Sequence, residues 1–151
     1  MSEHGPDRRP PRLSTGIAFI AAFVVVLSVL SVPPAAGLGA LGVICVTVGL
    51  VFTSRPLIEL SGVVLGSAIV VGGGLGALPA LVGIGALAAV VAWDVADHAY
   101  DLGQQIGREG RTRRNELAHL GGSLLVGGVA GAFAYGTFLG MAGGKPTTAL
   151  S

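Results

Sequence analysis

Residues 93–119 read WDVADHAYDLGQQIGREGRTRRNELAH and hold more than half of the charged residues of the chain. The flanking sequence is apolar: residues 13–92 carry only Arg55 and Glu59 as charged residues, and residues 120–142 carry none. One charged segment between long apolar segments is typical of a protein that crosses the membrane several times.

The composition favours the same class of protein. Hydrophobic residues make up 52% of the chain and charged residues only 11%, against roughly 25% charged in a soluble domain. So few charges cannot cover a water-facing surface. The sequence therefore predicts an all-α, polytopic bundle of membrane helices in the cell membrane.

Five apolar segments are long enough to be considered as membrane spans. A helix rises 1.5 Å per residue, so about twenty residues match the roughly 30 Å hydrocarbon core of a bilayer. The predicted spans are about residues 13–32, 37–53, 57–72, 77–93 and 117–140. They form a bundle over residues 13–142, between a polar tail at 1–12 that is predicted to be disordered and a short polar end at 143–151.

The first segment has an alternative interpretation as a cleaved signal peptide. Arg8, Arg9 and Arg12 would form its basic region, and residues 33–36 (PPAA) would hold the cleavage site. The length of the apolar run favours a membrane helix.

Proline and glycine mark the predicted boundaries between helices. Pro33 and Pro34 are predicted to separate the first two helices, Pro56 to lie in the first turn of the third, and residues 72–76 (GGGLG) to loosen the chain before the fourth. Glu59 follows Arg55 by four residues, the spacing of an ion pair on one helix face.

The basic residues predict the orientation. With a cytoplasmic N-terminus, only Lys145 would lie outside, which agrees with the excess of Lys and Arg in cytoplasmic loops. The residues then placed on the cytoplasmic side are Arg8, Arg9, Arg12, Arg55, Arg108, Arg111, Arg113 and Arg114.

The charged stretch is predicted to extend helix four as an amphipathic helix within a cytoplasmic segment at 94–116. At 100° per residue, Asp94, Asp97, His98, Asp101, Gln105 and Arg108 share one face, and Val95, Ala99, Leu102 and Ile106 share the other. The expected docking surface for protein partners or lipid headgroups consists of Asp94, Asp97, His98, Asp101, Arg108, Arg111, Arg113 and Arg114.

This face has two further interpretations. With Glu116 and His119, its Asp and His residues could supply oxygen and nitrogen ligands to a metal ion. A solvated face on which Asp94 offsets His98 and Asp101 offsets Arg108 explains the pattern more simply. We therefore predict no metal, cofactor or catalytic site, and the absence of an aromatic platform argues against nucleic-acid binding.

Small residues mark the helix faces on which close packing is expected, since backbone approach drives helix association in lipid. The predicted packing positions are Gly62, Gly66, Ser123, Gly127, Gly131, Gly136 and Gly140. Gly136 and Gly140 follow Ala132 at four-residue spacing and share one face of helix five with it. Such faces serve packing within the bundle or the formation of a homo-oligomer.

Residues 92–127, AWDVADHAYDLGQQIGREGRTRRNELAHLGGSLLVG, and residues 145–150, KPTTAL, resemble a family of small multi-pass membrane proteins of haloarchaea that has no established activity. The second half of the chain carries the resemblance, and the first half matches only in hydropathy. Members occur beside MoxR-type ATPases and proteins with von Willebrand factor A-like or transglutaminase-like domains. The resemblance thus implies an accessory role in a membrane-associated assembly.

Two functions are therefore hypotheses for this chain. The first is a non-enzymatic accessory or scaffold subunit, which is favoured because no ionisable residue falls near the middle of a predicted span. The alternative is a small transporter or channel subunit for a neutral substrate, with a path lined by Ser28, Thr47 or Ser67.

Overall fold

The computed structural model describes residues 10–105 and 113–142, and over these residues the chain forms five α-helices and no strand. The all-helical prediction is confirmed for this part of the chain. Side-chain surroundings are described as far as Gln104 in the fourth helix, and between Arg114 and Ala132 in the fifth, except at 115, 116 and 130. The helices are α1 (Arg12–Ser28), α2 (Pro33–Val51), α3 (Arg55–Gly74), α4 (Pro79–Gln105) and α5 (Arg113–Ala142).

Helices α1 to α4 form an antiparallel four-helix bundle. Each packs against its neighbours in sequence, and α1 closes the ring by packing along α4. Helix α5 lies outside the ring and contacts mainly α4. The starts of α1, α3 and α5 and the ends of α2 and α4 therefore meet at one end, which we call the charged end.

Among the described residues, three helices are long and apolar enough to cross a membrane: Pro33–Val51, Arg55–Gly74 and Pro79–Gln104. The apolar parts Arg12–Ser28 and Leu117–Val129 are shorter. Large apolar side chains cover the outward faces, with Val70 75% and Leu125 70% exposed. Contiguous apolar surface of this kind is uncommon on water-soluble monomers.

The core is built largely from small side chains. Val25, Val46, Ile58 and Leu65 are its larger fully buried members. Alanine supplies much of the rest, and its short side chain lets helix backbones approach closely. The alanines with no exposed surface are Ala18, Ala22, Ala35, Ala68, Ala92, Ala96 and Ala99.

The first helix boundary differs from the prediction. Helix α1 ends at Ser28, and Pro33 and Pro34 begin α2 instead of separating the helices. Proline fits the first turn of a helix because no N–H is needed there. It also favours extended backbone in the residue before it, and Val32 is extended, with φ −116° and ψ 96°.

The glycine-rich segment before α4 was also wrongly predicted to be loose throughout. Gly72 to Gly74 continue α3, and in this turn only Gly76 has positive φ, at 95°. The N–H of Ala77 donates to the carbonyl of Gly72 at 2.9 Å, which closes a Schellman-type end. A Cβ on Gly72 would lie 2.6 Å from Cγ1 of Val29, so close packing explains this glycine.

Pro56 lies in the first turn of α3, as predicted. The preceding turn places Thr53 at φ 52°, and the N–H of Ser54 donates to the carbonyl of Gly49 at 2.8 Å. The turns before and after α3 thus share one hydrogen-bond pattern, with threonine in the left-handed position of the first and glycine in that of the second.

Gly85 is the position where added volume should disturb the bundle most clearly. Its Cβ would overlap Ser28 of α1 and Ile69 of α3, whereas a Cβ on Gly83 would meet nothing within 4 Å. We expect Gly85→Ala to lower the free energy of unfolding by about 1–3 kcal/mol through overpacking. Gly83→Ala should leave it unchanged or raise it by up to about 1 kcal/mol, because alanine favours helix.

Thermal unfolding in detergent, followed by circular dichroism, measures both variants under the same conditions. Equal behaviour of the two would contradict the packing of α4 between α1 and α3.

Candidate functional site at the charged end

The charged and histidine residues of the described ranges collect at one end of the bundle. They lie in the first turns of α1, α3 and α5 and in the last turns of α4, far from the opposite connections at 29–32 and 75–78. They are Arg12, Arg55, Glu59, Asp94, Asp97, His98, Asp101, Arg113, Arg114, Glu116 and His119. Two groups of contacts organise them.

The first group, the Arg55 cluster, consists of Arg55, Glu59, Asp97 and Asp101. Arg55 Nε lies 3.2 Å from Glu59 Oε1, the ion pair predicted from the spacing. Its Nη2 lies 3.6 Å from Asp97 Oδ1 and its Nη1 3.3 Å from Asp101 Oδ1. One guanidinium thereby joins the start of α3 to two successive turns of α4.

The Arg55 cluster fixes the relative position of α3 and α4 but adds little to the free energy of unfolding. The guanidinium also lies 5.8 Å from the ring centroid of Tyr100, a cation–π distance. Because the Arg55 side chain is 49% exposed, water screens each pair, and exposed pairs contribute about 0–1 kcal/mol. The link from Arg55 to α4 was not predicted, since Asp101 was assigned to Arg108, which lies outside the described residues.

The second group, the Asp94 cluster, consists of Asp94, His98, His119 and Ser123. Ser123 Oγ donates a hydrogen bond to Asp94 Oδ2 at 2.5 Å, and His119 Nε2 lies 2.9 Å from the same oxygen. The His119 contact is close but poorly aligned for a hydrogen bond. His119 stacks on His98, with ring centroids 4.1 Å apart and planes 14° apart.

The Asp94 cluster attaches α5 to the bundle. His119 and Ser123 are four residues apart, so both face α4 on successive turns. A hydroxyl that donates to a carboxylate makes a stronger hydrogen bond than one between neutral groups. Ser123 is predicted from the sequence as a packing position only. Its four-residue spacing from His119 is the signal that could have indicated a polar contact with α4.

A groove of about 1160 Å³ separates α4 from α5 and ends at the Asp94 cluster. Its walls come from α4 between Pro79 and Val90 and from α5 between Gly122 and Gly131, and they are mostly apolar or glycine. We call it the α4–α5 groove. The groove is apolar along most of its length, and one end is polar, with a carboxylate, an imidazole and a hydroxyl.

The predicted packing glycines differ in what they touch. A Cβ on Gly62 would lie 2.7 Å from Cδ1 of Trp93, and one on Gly127 would lie 2.5 Å from Cδ1 of Leu87. A Cβ on Gly66 or Gly131 would meet nothing within 4 Å. Gly136 and Gly140 belong to α5, but their surroundings lie outside the described residues.

Some of the predicted docking residues already contact other helices of the bundle. Helix α4 continues to Gln105 with Val95 and Ala99 buried, as the amphipathic pattern predicts. Its acidic residues contact α3 and α5, and Arg114 is exposed at the start of α5. Arg108 and Arg111 lie outside the described residues, as does the side chain of Arg113.

The metal interpretation gains no support from the described residues, among which no group of three or more His, Cys, Asp or Glu could hold a metal ion. The side chain of Glu116, one of the suggested ligands, is not part of that set.

Fold and charge distribution define a helical bundle whose helices include three of membrane-spanning length. The family model DUF7519, described as a family of unknown function, matches residues 8–151, and the chain belongs to this family. No curated protein and no solved structure matches the chain.

The hydrogen bond between Ser123 and Asp94 can be measured by a double-mutant cycle. We expect Asp94→Ala and Ser123→Ala to show a coupling energy of about 1 kcal/mol in unfolding, below the roughly 1.5–3 kcal/mol of a charged hydrogen bond because the site is partly exposed. Ser67→Ala is the control, since Ser67 Oγ donates at 2.8 Å only to Val63 of its own helix. Coupling of Asp94 to Ser67 as strong as to Ser123 would contradict this attachment of α5.

Proposed function

We propose that the chain is a multi-pass protein of the cell membrane, with all five helices crossing the bilayer and the charged end in the cytoplasm. The support is the position of Arg12, Arg55 and Arg114 at one end, together with Arg108 and Arg111 in the sequence that joins α4 to α5. Retention of Lys and Arg on the cytoplasmic side agrees with the positive-inside rule. Helix α5, at 30 residues, exceeds the roughly 20 that a span requires.

Within the membrane, the proposed role is that of a non-enzymatic accessory or scaffold subunit. One observation carries this proposal: over residues 10–105 and 113–142, the charged and histidine residues all belong to the charged end. Ion and proton paths normally require such groups within the bilayer. A bundle without them offers helix faces to membrane partners and arginines to lipid headgroups or cytoplasmic partners.

The resemblance suggests the kind of partner. A MoxR-type ATPase system is the proposed cytoplasmic partner, a haloarchaeal source is part of the same proposal, and self-association through α5 would give a homo-oligomer. Neither a catalytic site nor a nucleic-acid partner is part of the proposal.

The alternative function is a small transporter or channel subunit for a neutral substrate, and the α4–α5 groove is the observation that favours it. The hydroxyls expected to line such a path count against it. Ser28, Thr47 and Ser67 each donate to a carbonyl of their own helix, at 2.7, 2.8 and 2.8 Å. A hydroxyl bonded in this way has no donor left for a substrate.

The orientation is tested by labelling single cysteines in a Cys45→Ala background. Leu75→Cys lies in the turn opposite the charged end, and Ser54→Cys in the turn at the charged end. A membrane-impermeant maleimide should label Leu75→Cys in intact cells and Ser54→Cys only after permeabilisation. The reverse pattern would overturn the orientation, and labelling of both cysteines, or of neither, in intact cells would contradict a bundle that crosses the membrane between these two turns in one orientation.

The accessory role is tested by purification of the tagged chain from its native host in mild detergent, with mass spectrometry of the proteins recovered. We expect one cytoplasmic partner at stoichiometric yield, and we expect its loss in the variant Arg111→Glu/Arg114→Glu. The control is Lys145→Glu, a charge reversal on the predicted outer side, which should retain the partner.

Because charge reversal can change topology, the cysteine assay is repeated in both variants. Recovery of a homo-oligomer alone from the unaltered chain would contradict the accessory role and favour the transporter alternative.

A further inference from the structure

We propose that the α4–α5 groove binds an amphiphile, with a hydrocarbon chain along the apolar walls and an ammonium head at Asp94. The inference rests on the proposed membrane location, since the groove must open towards lipid. It adds to that proposal a binding site, the orientation of its ligand and the charge of the ligand's head.

The walls of the groove favour a hydrocarbon chain. The groove of about 1160 Å³ is open to the surroundings of the bundle, so whatever covers the outer face of α4 and α5 also fills it. Water is a poor occupant between apolar walls, because each molecule needs several polar partners. Gly83 and Gly131 keep the walls wide, since a Cβ at either position would meet nothing within 4 Å.

The length of the groove also fits a lipid chain. From Pro79 to Asp94, helix α4 rises about 22 Å at 1.5 Å per residue. One leaflet of the bilayer contributes roughly 15 Å of hydrocarbon, half of a 30 Å core. An extended chain of one leaflet therefore reaches along about two thirds of the groove while its head stays level with the charged end.

Asp94 determines the head that the site prefers. Among the described residues, those that line the groove include the carboxylate of Asp94 and the imidazole of His119, and no lysine or arginine. Ser123 and His119 both contact Oδ2 of that carboxylate, and we expect a donor on the ligand to approach Oδ1. A cationic donor is the complement of this charge, and hydrogen bonds between ionised groups are the stronger kind.

Selectivity must come from the head, because the chain gains little by leaving one hydrocarbon environment for another. The site should therefore distinguish two amphiphiles of equal chain length and opposite head charge. A site that merely collects bilayer lipid would treat them alike.

The experiment uses the full chain in phosphatidylcholine vesicles with two photoactivatable probes, a diazirine-bearing hexadecylamine and the matching hexadecanoic acid. Cross-linked peptides are mapped by mass spectrometry. We expect the amine to label peptides containing residues 82–90 and 122–131, with competition by unlabelled hexadecylamine and at least about fivefold less labelling by the acid. Equal labelling by both probes would overturn the preference for an ammonium head.

Matched variants connect the labelling to the groove. Gly131→Leu fills the groove and should abolish the competed labelling, whereas Gly128→Leu, which also meets nothing within 4 Å but does not line the groove, should retain it. Asp94→Asn keeps an acceptor for Ser123 but removes the charge, and should lower amine labelling about tenfold, the effect of losing one charged hydrogen bond. Unchanged labelling in Gly131→Leu or in Asp94→Asn would overturn the site.

A third probe, phosphatidylcholine with a diazirine in its acyl chain, separates the two proposals. If it labels the outward faces of α1 and α3 while the amine gives no competed labelling of the groove, the membrane location stands and the binding site fails. If it labels no helix, the membrane location itself fails and the site fails with it.

Discussion

The cost of removing charge from water is the constraint on which this structure depends. A bundle whose outer faces are apolar can hold ionised side chains only where water or a partner charge reaches them. Here they lie at one end of the helices, and most are paired: Arg55 with carboxylates of two helices, and Asp94 with two residues of α5. In the part of the chain that the structure describes, the ion pairs between helices lie at that end, and close packing dominates the rest of the bundle.

Packing of this kind requires close backbone approach, and the chain achieves it in two ways. In the four-helix ring, buried alanines fill the centre. Large side chains also pack directly against glycines, as Leu65 does against Gly42 and Ile58 against Gly49. The described part of helix α5 lies along α4 and leaves a groove beside it. Ser123 and His119 of α5 contact Asp94 of α4, so polar contacts add to the packing that attaches this helix.

Hydropathy and residue spacing were sufficient to predict the local features of the fold. The helical class, the order of the five helices, the ion pair between Arg55 and Glu59 and the continuation of α4 beyond Trp93 are all local properties of the chain. The errors also have a local cause. Pro33 and Pro34 begin α2 instead of separating two helices, although Pro56 occupies the first turn of α3 as predicted. In the glycine-rich segment before α4, only Gly76 has a positive φ. Contacts between distant segments, such as Arg55 with Asp101 or Asp94 with Ser123, remained hidden, because helix periodicity does not tell which neighbour a polar face will meet.

The contact between Gly62 and Trp93 has one further consequence. The chain contains a single tryptophan, and its indole lies against α3 while remaining 42% exposed on the outer face of α4. Its fluorescence therefore reports on one defined place, where α3 and α4 meet near the charged end, without an introduced dye. The emission wavelength would report the polarity around the ring, and quenching by brominated lipids would report its depth. The native tryptophan can therefore be used to measure how deeply the charged end lies in a bilayer.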